Sequence, residues 1–488
     1  MMLLAGGGVT LLSSCKKNEY LNPQATTLIT DVDAFSTPER IQAQVNGIYY
    51  RLKAGDFLGS YYFIMSDARA GDFISTNLNA AVGATTYQLL TSTTTNEVQD
   101  IWEDGYQAIN AANVFIDGMN NGGAAVVGDA LAANYIAEAR LARAVAYYSL
   151  LQLYAQPYSN GAGSKPGLPL RLTGNNNSGN YDLKRSSVKE TYEQVLEDLN
   201  FAEQNLPDNY SSALLNTTRA HKNTAIALKT RVYLSMQDYT NVITEANKIV
   251  SASAPFTSPA RVAHALSPSI LTVFNPPYTT TESIFSMPFS SNDAPGSAMG
   301  SYYLPGTGDG GSPTSNGAGN FNLNPDGLPA DPTWTAADDR RQFLLTGTRT
   351  GKLWLTKFKQ ASPYLDFVPV IRYSEVLLNL SEALARTNGV DERAVALLSA
   401  VRNRSDKTTS YTTASFADNA SLISAIIKER HIEFLGEGMR NADIMRLQLD
   451  IPAKPAHSVP AASPTAPNYI FPIPSNELLL NKLMEDNN

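Results

Sequence analysis

The segment RHIEFLGEGMRNADIMRL, residues 430–447, concentrates side chains that could perform acid–base chemistry. Glu433, Glu437 and Asp443 are carboxylates, the groups that glycoside hydrolases use in pairs. His431 could act as a general base or as a metal ligand. Either role would make the protein an enzyme, so the environment of this segment decides between catalysis and structure.

Opposite charges also recur in this segment at the three-residue spacing of neighbouring helical positions. The pairs are Arg430 and Glu433, Glu437 and Arg440, Arg440 and Asp443, and Asp443 and Arg446. Because an unpaired buried charge costs several kcal/mol, charges this close to apolar residues should be paired. We therefore predict a structural ion-pair joint, in which Gly436 and Gly438 let the chain change direction. His431 is then an ordinary helix residue.

Two shorter patterns invite ligand-binding interpretations. GTGDGG at 306–311 matches the spacing of a dinucleotide-binding loop, but it leads into more Gly, Ser and Pro instead of the helix that such a site requires. Asn322, Asn324 and Asp326 make half of a calcium-loop pattern, although Thr333 stands where an EF-hand has glutamate. We predict an Asx-rich turn there, with a looser calcium site as the alternative.

Composition excludes several classes of protein. The formal charge of −8 argues against nucleic-acid binding, which normally shows a basic surplus. With one cysteine and four scattered histidines, no pattern of metal-ligand spacing occurs, so no metal is predicted. The sequence lacks a GxSxG motif. Its 45 acidic residues leave many possible carboxylate pairs, so glycoside hydrolysis stays open.

The first residues, MMLLAGGGVTLLSSC, form a short apolar run that ends at the single cysteine, Cys15. The run is too short to span a bilayer but has the length of a signal-peptide core. Leu-Ser-Ser-Cys resembles the lipobox of bacterial lipoproteins. We therefore predict a signal peptide over residues 1–14, lipid attachment at Cys15 and a polar tether over 15–34.

The remainder, residues 35–488, is predicted to be a single, mainly α-helical domain. Two stretches, at 220–250 and 373–404, have the form helix, tight turn, helix over about 33 residues, the length typical of tetratricopeptide-like units. Helices are also predicted at 36–52, 97–119 and 129–154. Loop-rich insertions at about 55–96, with a small hairpin, and at 252–369 interrupt the helical pattern.

KERHIEFLGEGMRNADIMRL, followed by FPIPSNELLLN, resembles the closing signature of the SusD/RagB family of outer-membrane nutrient-binding lipoproteins. The segments EARLARAVAYYSLLQLYAQPY and IALKTRVYLSMQDY resemble the same family in the same order. The resemblance implies a tetratricopeptide-like helix-pair superhelix with irregular loops, a few short strands and no catalytic residues. It also implies capture of oligosaccharides or related nutrients, and partnership with a SusC-type TonB-dependent transporter.

Sugar rings present apolar C–H faces to aromatic side chains and hydroxyl groups to amides and carboxylates. The segments 77–87 and 302–334 combine both kinds of residue. We therefore predict ligand contacts from Asn77, Tyr87, Tyr302, Tyr303, Phe321 and Trp334. The alternative is that these aromatic rings fill a small core within the loops.

Two further questions stay open at this point. The resemblance implies a lipid-anchored protein of a Gram-negative outer membrane that faces the exterior. However, Cys15 is followed by Lys-Lys-Asn-Glu, which leaves a periplasm-facing protein as the alternative. A helical-repeat interaction scaffold without its own glycan site, and a glycoside hydrolase, are the alternatives for function.

Overall fold

The computed structural model describes residues 31–76, 78–176, 179–296, 298–309 and 317–487. Cys15, the predicted signal peptide and most of the predicted tether lie outside the described residues, as does Asn77. Helix accounts for 51% of the chain and strand for 7%, which confirms the predicted mainly α-helical class.

The helices are α1 Asp31–Ala34, α2 Pro38–Leu52, α3 Tyr61–Ala70, α4 Ala84–Tyr87, α5 Asn96–Gly118, α6 Ala124–Val127, α7 Asp129–Tyr154, α8 Val188–Asn205, α9 Ala213–Thr218, α10 Lys222–Ser235, α11 Tyr239–Ala246, α12 Ile270–Val273, α13 Met299–Tyr303, α14 Tyr373–Asn388, α15 Glu392–Ser405, α16 Asn419–Glu433, α17 Met439–Arg446 and α18 Ser475–Leu480. A π-helical turn, Met119–Gly123, follows α5. Short 3-10 turns lie at Ala80–Val82, Thr307–Asp309, Leu328–Ala330, Asp339–Phe343, Thr413–Ser415, Pro455–His457 and Pro467–Tyr469.

Helix α2 begins where its sequence predicts. The Thr37 hydroxyl accepts a hydrogen bond from the backbone N–H of Arg40 at 3.3 Å, which satisfies one of the donors left open at a helix start. Ile41, Val45 and Ile48 form the predicted apolar stripe and are buried. A cap and a single apolar face therefore suffice to define this helix.

The two predicted helix pairs are confirmed. Helices α10 and α11 pack against each other, and so do α14 and α15. The turn between α14 and α15 contains Gly389 at a φ of +80°, a conformation that favours glycine. Asp391 then caps α15 by accepting a hydrogen bond from Ala394 N at 2.9 Å. Successive contacts of α5 with α7, α7 with α8 and α8 with α10 extend these pairs into a stack.

The small hairpin predicted within 55–96 is wrong. Its aromatic run SYYFIMS lies mostly in α3, and TTYQLL contributes the short helix α4. Every residue from Tyr62 to Ala70 is buried, so the alternation of buried and exposed positions that stabilises a half-buried strand is missing. Tertiary burial therefore overrides the β propensity of the aromatic residues.

The strands are β1 Phe73–Ser75, β2 Ser283–Met287, β3 Phe321–Leu323, β4 Leu344–Thr346, β5 Leu353–Leu355 and β6 Val368–Arg372. They form an antiparallel sheet in the order β1–β3–β5–β4 and a two-stranded sheet of β2 and β6. Most of these strands lie in the predicted insertion at 252–369. Pairing of Phe73 with Leu323 joins the two loop-rich regions to each other.

Among the described residues, no helix is both long enough and apolar enough to cross a lipid bilayer.

Candidate functional site

The C-terminal charged segment contributes to a buried cluster that we call the ionic joint. It consists of Glu282, Arg340, Lys357, Arg372, Arg404, Glu429, Glu433 and Glu437. None of these side chains is more than 5% exposed. These four cations and four carboxylates lie away from solvent, and Asp338 beside Arg340 and Arg402 beside Glu429 extend the buried network.

Glu433 is held by three guanidinium groups. Its carboxylate lies 2.6 Å from Arg404 Nη2, 3.0 Å from Arg372 Nη1 and 3.0 Å from Arg340 Nη1. Burial alone would raise the pKa of Glu433, but these three positive charges hold it well below its usual value. A carboxylate with so low a pKa is a poor proton donor or acceptor near neutral pH.

Both carboxylate oxygens of Glu437 are likewise paired with buried cations. Arg372 Nε donates to one of its oxygens at 2.9 Å, and Lys357 Nζ donates to the other at 2.8 Å. The void beside Glu437 measures about 10 Å³, close to the minimum for one water molecule and far too small for a sugar. The prediction that this segment forms a structural joint is confirmed by its geometry.

The ion pairs within the segment 430–447 differ in part from those predicted. Arg430 contacts Asp443, with Nε and Oδ2 3.2 Å apart, instead of pairing with Glu433. Of the predicted local pairs, Asp443 and Arg446 do meet, at 2.8 Å. The reason is the break between α16 and α17, where Gly436 and Gly438 have φ values of +78° and +71° and redirect the chain as predicted.

His431 lies in the last turn of α16, and its Nε2 is 2.8 Å from both carboxylate oxygens of Asp72. Asp72 immediately precedes β1. The contact therefore joins α16 to the segment that leads into β1. This is a structural role, as predicted for an ordinary helix residue.

The predicted stacking residues are buried. Tyr87, Tyr302, Tyr303, Phe321 and Trp334 are between 0% and 5% exposed. A ring that stacks on a sugar must present a face to solvent, so the expected exposure of these five residues is wrong. Asn77, the sixth predicted contact, lies outside the described residues.

These rings instead pack on one another and on the scaffold, which is the alternative that the sequence left open. Tyr303 stacks on Phe73 with ring centroids 4.7 Å apart, and its hydroxyl donates to Asp67 at 2.8 Å. Tyr302 and Phe321 stack at 6.1 Å. The aromatic residues of the insertions therefore stabilise the junction between loops and helices.

The described residues of the two short patterns, GTGDGG at 306–311 and the asparagine-rich turn at 322–326, form contacts within the protein. Asn324 Oδ1 accepts a hydrogen bond from Asp326 N at 3.2 Å, which is the predicted Asx turn. Asp309, in GTGDGG, accepts hydrogen bonds from Trp354 Nε1 at 2.6 Å and from Thr350 N at 2.9 Å. Gly310 and Gly311 lie outside the described residues.

A large open cleft lies elsewhere, along α5. Its volume is about 860 Å³, within the size range of small-molecule sites. Three parts of the chain form it: one face of α5, the segments flanking residues 177–178, and the C-terminal residues 474–482. We call it the α5 cleft.

Two aromatic rings of α5 form the floor of the α5 cleft. Trp102 and Tyr106 lie one turn apart, with ring centroids 4.8 Å apart and planes inclined by 40°. The Tyr106 hydroxyl donates to the carbonyl of Pro169 at 3.0 Å, and Trp102 Nε1 donates to Glu477 at 3.4 Å. Both rings are therefore fixed in orientation before any ligand binds.

Amide side chains of α5 hold the neighbouring loop against the helix. Asn110 Nδ2 donates to the carbonyl of Asn175 at 3.1 Å, and Asn110 Oδ1 accepts from Asn175 N at 2.7 Å. Asn113 Nδ2 donates to the carbonyl of Arg171 at 2.8 Å, while Asn113 Oδ1 accepts from Arg143 at 2.7 Å. One wall of the cleft is thus tied rigidly to α5.

The opposite wall comes from the C-terminal residues. Glu477 lies 3.4 Å from Arg171 Nη2 and accepts a hydrogen bond from Asn481 at 2.7 Å. Arg171 Nη1 donates to the carbonyl of Tyr181 at 2.8 Å. The ring of Tyr181 is 38% exposed at this wall, so it offers an apolar face next to polar groups.

A second hollow, of about 460 Å³, lies at the start of α5 in the loop region 79–97. Small side chains such as Thr85, Ser92 and Thr94 line it. Among the described residues that line this hollow there is no aromatic ring, whereas the α5 cleft contains three. The α5 cleft is therefore the better candidate for binding a ring-shaped ligand.

Sequence reasoning missed the α5 cleft, although two signals were present. Gln99, Glu103, Gln107 and Asn110 recur at the spacing of one helical face, beside Trp102 and Tyr106. The segment GNNNSGNYD, residues 174–182, is as rich in asparagine and glycine as the insertion that was preferred. Nothing in the sequence shows that the C-terminal residues fold back onto this face.

Two family models match the chain. The model described as "Starch-binding associating with outer membrane" matches residues 20–234, and the model of the SusD family matches residues 347–488. A curated relative, the SusD-like protein P2 of Formosa agariphila, is 25% identical over 93% of this chain and 93% of its own length.

Solved structures extend this likeness to the fold. A SusD superfamily protein from Bacteroides fragilis is 30% identical, with a TM-score of 0.81 over 93% of this chain and all of that chain. The surface glycan-binding protein A of Bacteroides thetaiotaomicron, solved with laminarihexaose, is 20% identical, with a TM-score of 0.72 over 93% of this chain and all of its own. With its helix-pair stack, short strands and closing ionic helix, this chain belongs to the SusD/RagB family.

Proposed function

We propose that this protein binds oligosaccharides or related nutrients in the α5 cleft and delivers them to a SusC-type TonB-dependent outer-membrane transporter. The protein is proposed to act by binding alone, without catalysis. The observation that carries the proposal is the α5 cleft, in which the exposed side chain of Tyr181 and the half-buried ring of Tyr106 stand beside amides and carboxylates.

The chemistry of the cleft suits a sugar chain. Tyr181 and the half-buried ring of Tyr106 offer apolar surface to the C–H faces of pyranose rings, and Trp102, which is 4% exposed, supports Tyr106 from within the protein. Gln107 Nε2 donates to Glu103 at 3.1 Å, and Gln107 Oε1 accepts from Arg51 at 2.8 Å. The remaining donor and acceptor positions of Gln107 and Glu103 can exchange hydrogen bonds with hydroxyl groups. A volume of about 860 Å³ accommodates a short oligosaccharide.

Membership of the SusD family supports this function, since one family model is described as starch-binding and associating with the outer membrane. The relative solved with laminarihexaose supports an oligosaccharide as the class of ligand. We further propose that Cys15 carries the lipid anchor and that the protein faces the exterior of a Gram-negative cell. The transporter would then receive the ligand from this surface.

A glycan array probed with the purified chain tests the proposal. We expect binding to at least one class of oligosaccharide without release of any smaller sugar. Gln107→Trp, which fills the α5 cleft, should abolish that binding, whereas Gln42→Trp on the exposed face of α2 should not. Equal binding by both variants would place the ligand outside the cleft.

The same preparation separates the alternative functions. A chain that binds no glycan but co-purifies with the transporter would support a helical-repeat interaction scaffold. Sugar release by the purified chain, measured by reducing-end assay, would support a glycoside hydrolase.

A further inference from the structure

The charges around the α5 cleft are unequally distributed. Among the described residues that line the cleft, three are acidic, Glu103, Asp182 and Glu477, and two are cationic, Arg171 and Lys482. The lining therefore carries a net negative charge. Within the lining, an anionic ligand could find its counter-charge only in Arg171 or Lys482. Arg51, whose Nη1 donates to Gln107 at 2.8 Å, is a further cation at the edge of the cleft and faces Asp104.

Arg171 is already engaged. Its Nη2 lies 3.4 Å from Glu477, and its Nη1 donates to the carbonyl of Tyr181 at 2.8 Å. Recognition of a carboxylate or sulfate group by arginine usually employs a bidentate pair of donors. Both terminal nitrogens of Arg171 contribute instead to the wall itself, so a sugar carboxylate would compete with Glu477 for them.

Lys482 stands at the exposed end of the same wall. Its backbone N–H donates to the carboxylate of Asp182 at 2.8 Å, which keeps a negative charge beside the lysine. A lysine at an exposed position is a strongly hydrated point charge and selects weakly among anions. Neither cation of the lining is therefore arranged as an anion receptor.

Two further acidic residues stand on α5 beside its cleft-lining face. Asp100 and Asp104 each follow a cleft-lining residue by one position and lie on the adjacent stripe of the helix. Burial, together with the charges of Asp56 and Glu103, raises the pKa of both Asp100 and Asp104 to about 6. Arg51 opposes this effect at Asp104 but does not cancel it. Burial is the larger cause of these raised pKa values, and the neighbouring negative charges of Asp56 and Glu103 add to it.

From this arrangement we infer that the α5 cleft selects neutral oligosaccharides and rejects uronate-rich or sulfated ones. This inference rests on the proposed function and adds the chemical class of its ligand. Charges near a protein surface act over a Debye length of about 10 Å at 0.1 M salt. The rejection is therefore electrostatic and depends on salt.

Matched pairs of oligosaccharides test the inference with the full purified chain. Each pair has one ring type and one length, with CH₂OH in the neutral member and a carboxylate in the other: glucose and glucuronate, mannose and mannuronate, galactose and galacturonate hexasaccharides. We expect every neutral member that binds to bind about tenfold or more tightly than its uronate partner at 20 mM salt. At 0.5 M salt the ratio should fall towards one.

A variant links the discrimination to α5. Asp100→Asn combined with Asp104→Asn removes two negative charges on α5 beside the cleft without changing its lining. Neutral binding should stay within about twofold, while the uronate members should gain severalfold at low salt. Glu193→Gln, an exposed acid on α8, serves as the matched control and should change neither.

The outcomes are distinguishable. A uronate member that binds more tightly than its neutral partner at low salt, or an unchanged ratio in the double variant, overturns the inference and leaves the proposed function intact. If no member of any pair binds and a broader glycan array also shows no binding, the proposed function fails, and the inference fails with it.

Discussion

The ionic joint and the α5 cleft both contain acidic and basic side chains, yet they differ in how far those groups are exposed to solvent. In the joint, Glu433 is enclosed by three arginines and has no exposed surface. In the cleft, Tyr181 is 38% exposed, and Glu103 is exposed on the helix face beside it. Density of charge in a sequence therefore does not identify a site, because the joint is the denser of the two.

The comparison also separates two uses of aromatic rings. Phe321 and Tyr303 stack against other rings inside the protein, so both faces of each ring are already occupied. Tyr181 instead leaves ring surface at the wall of an open volume. What distinguishes a candidate binding ring is its exposure to solvent at an open volume, and the following substitutions test that distinction.

The largest expected effect comes from breaking the joint. Glu433→Ala leaves Arg340, Arg372 and Arg404 without a shared counter-charge, so the free energy of unfolding should fall by about 3–5 kcal/mol. Urea denaturation measures the loss. Glu193→Ala, whose side chain is 58% exposed, is the control and should cost less than about 0.5 kcal/mol. Equal effects of the two variants would remove the distinction between buried and exposed pairs.

The second effect concerns the buried rings. Phe321→Ala should lower the free energy of unfolding by about 3–5 kcal/mol, because it opens a cavity among packed rings. Its affinity for any glycan bound by the wild type should be unchanged at a temperature where the variant is folded. A selective loss of affinity with little loss of stability would return the binding site to the insertions.

The third effect is a dependence of stability on pH. Burial would raise the pKa of Glu437, but Arg372 and Lys357 lower it, and Glu433 is depressed by its own arginines. A carboxylate whose pKa is lower when folded stabilises the protein above its unfolded value, about 4.3, and loses this contribution as the pH falls further. The midpoint of urea unfolding should therefore decrease below about pH 4. In Glu437→Gln this decrease should be smaller, and an identical decrease would show that other acids cause it.

The smallest expected effect is on oligosaccharide affinity and tests the α5 cleft itself. Tyr181→Ala should weaken oligosaccharide binding by about 2- to 10-fold, the equivalent of an aromatic contact of about 0.5–1.5 kcal/mol. The melting temperature should not change, since the ring is partly exposed. Tyr50→Ala, at a position 60% exposed on α2, is the matched control for removal of a surface tyrosine. Unchanged affinity in Tyr181→Ala, measured by calorimetry, would contradict the role of this ring.

Much of the scaffold was predictable from local sequence because it depends on local physics. The cap at Thr37 and the stripe through Ile41 and Val45 define α2 within a few turns. Pairing of the charges near the C-terminus was predictable from the cost of burying them alone. The identity of the partners was not, because Arg372 is 61 positions from Glu433 and only the fold brings them together.

The binding surface was harder to predict for a different reason. Tyr302 and Phe321 lie in a segment whose composition suits a sugar site, but the same composition suits a small loop core, and only their neighbours decide between the two. The α5 cleft requires Trp102, Arg171 and Glu477, which come from three distant parts of the chain. No local pattern contains that information.

The ionic joint also constrains the order in which the molecule can be completed. Arg340 and Lys357 come from the long insertion. Arg340 also pairs with Asp338 two positions away, but its contacts with Glu429 and Glu433, and the contact of Lys357 with Glu437, need a segment that is synthesised later. Until that segment is made, Lys357 lacks its buried carboxylate partner, so the insertion cannot complete the joint. A chain truncated shortly before position 429 should therefore expose more of the insertion to proteases than the full chain does.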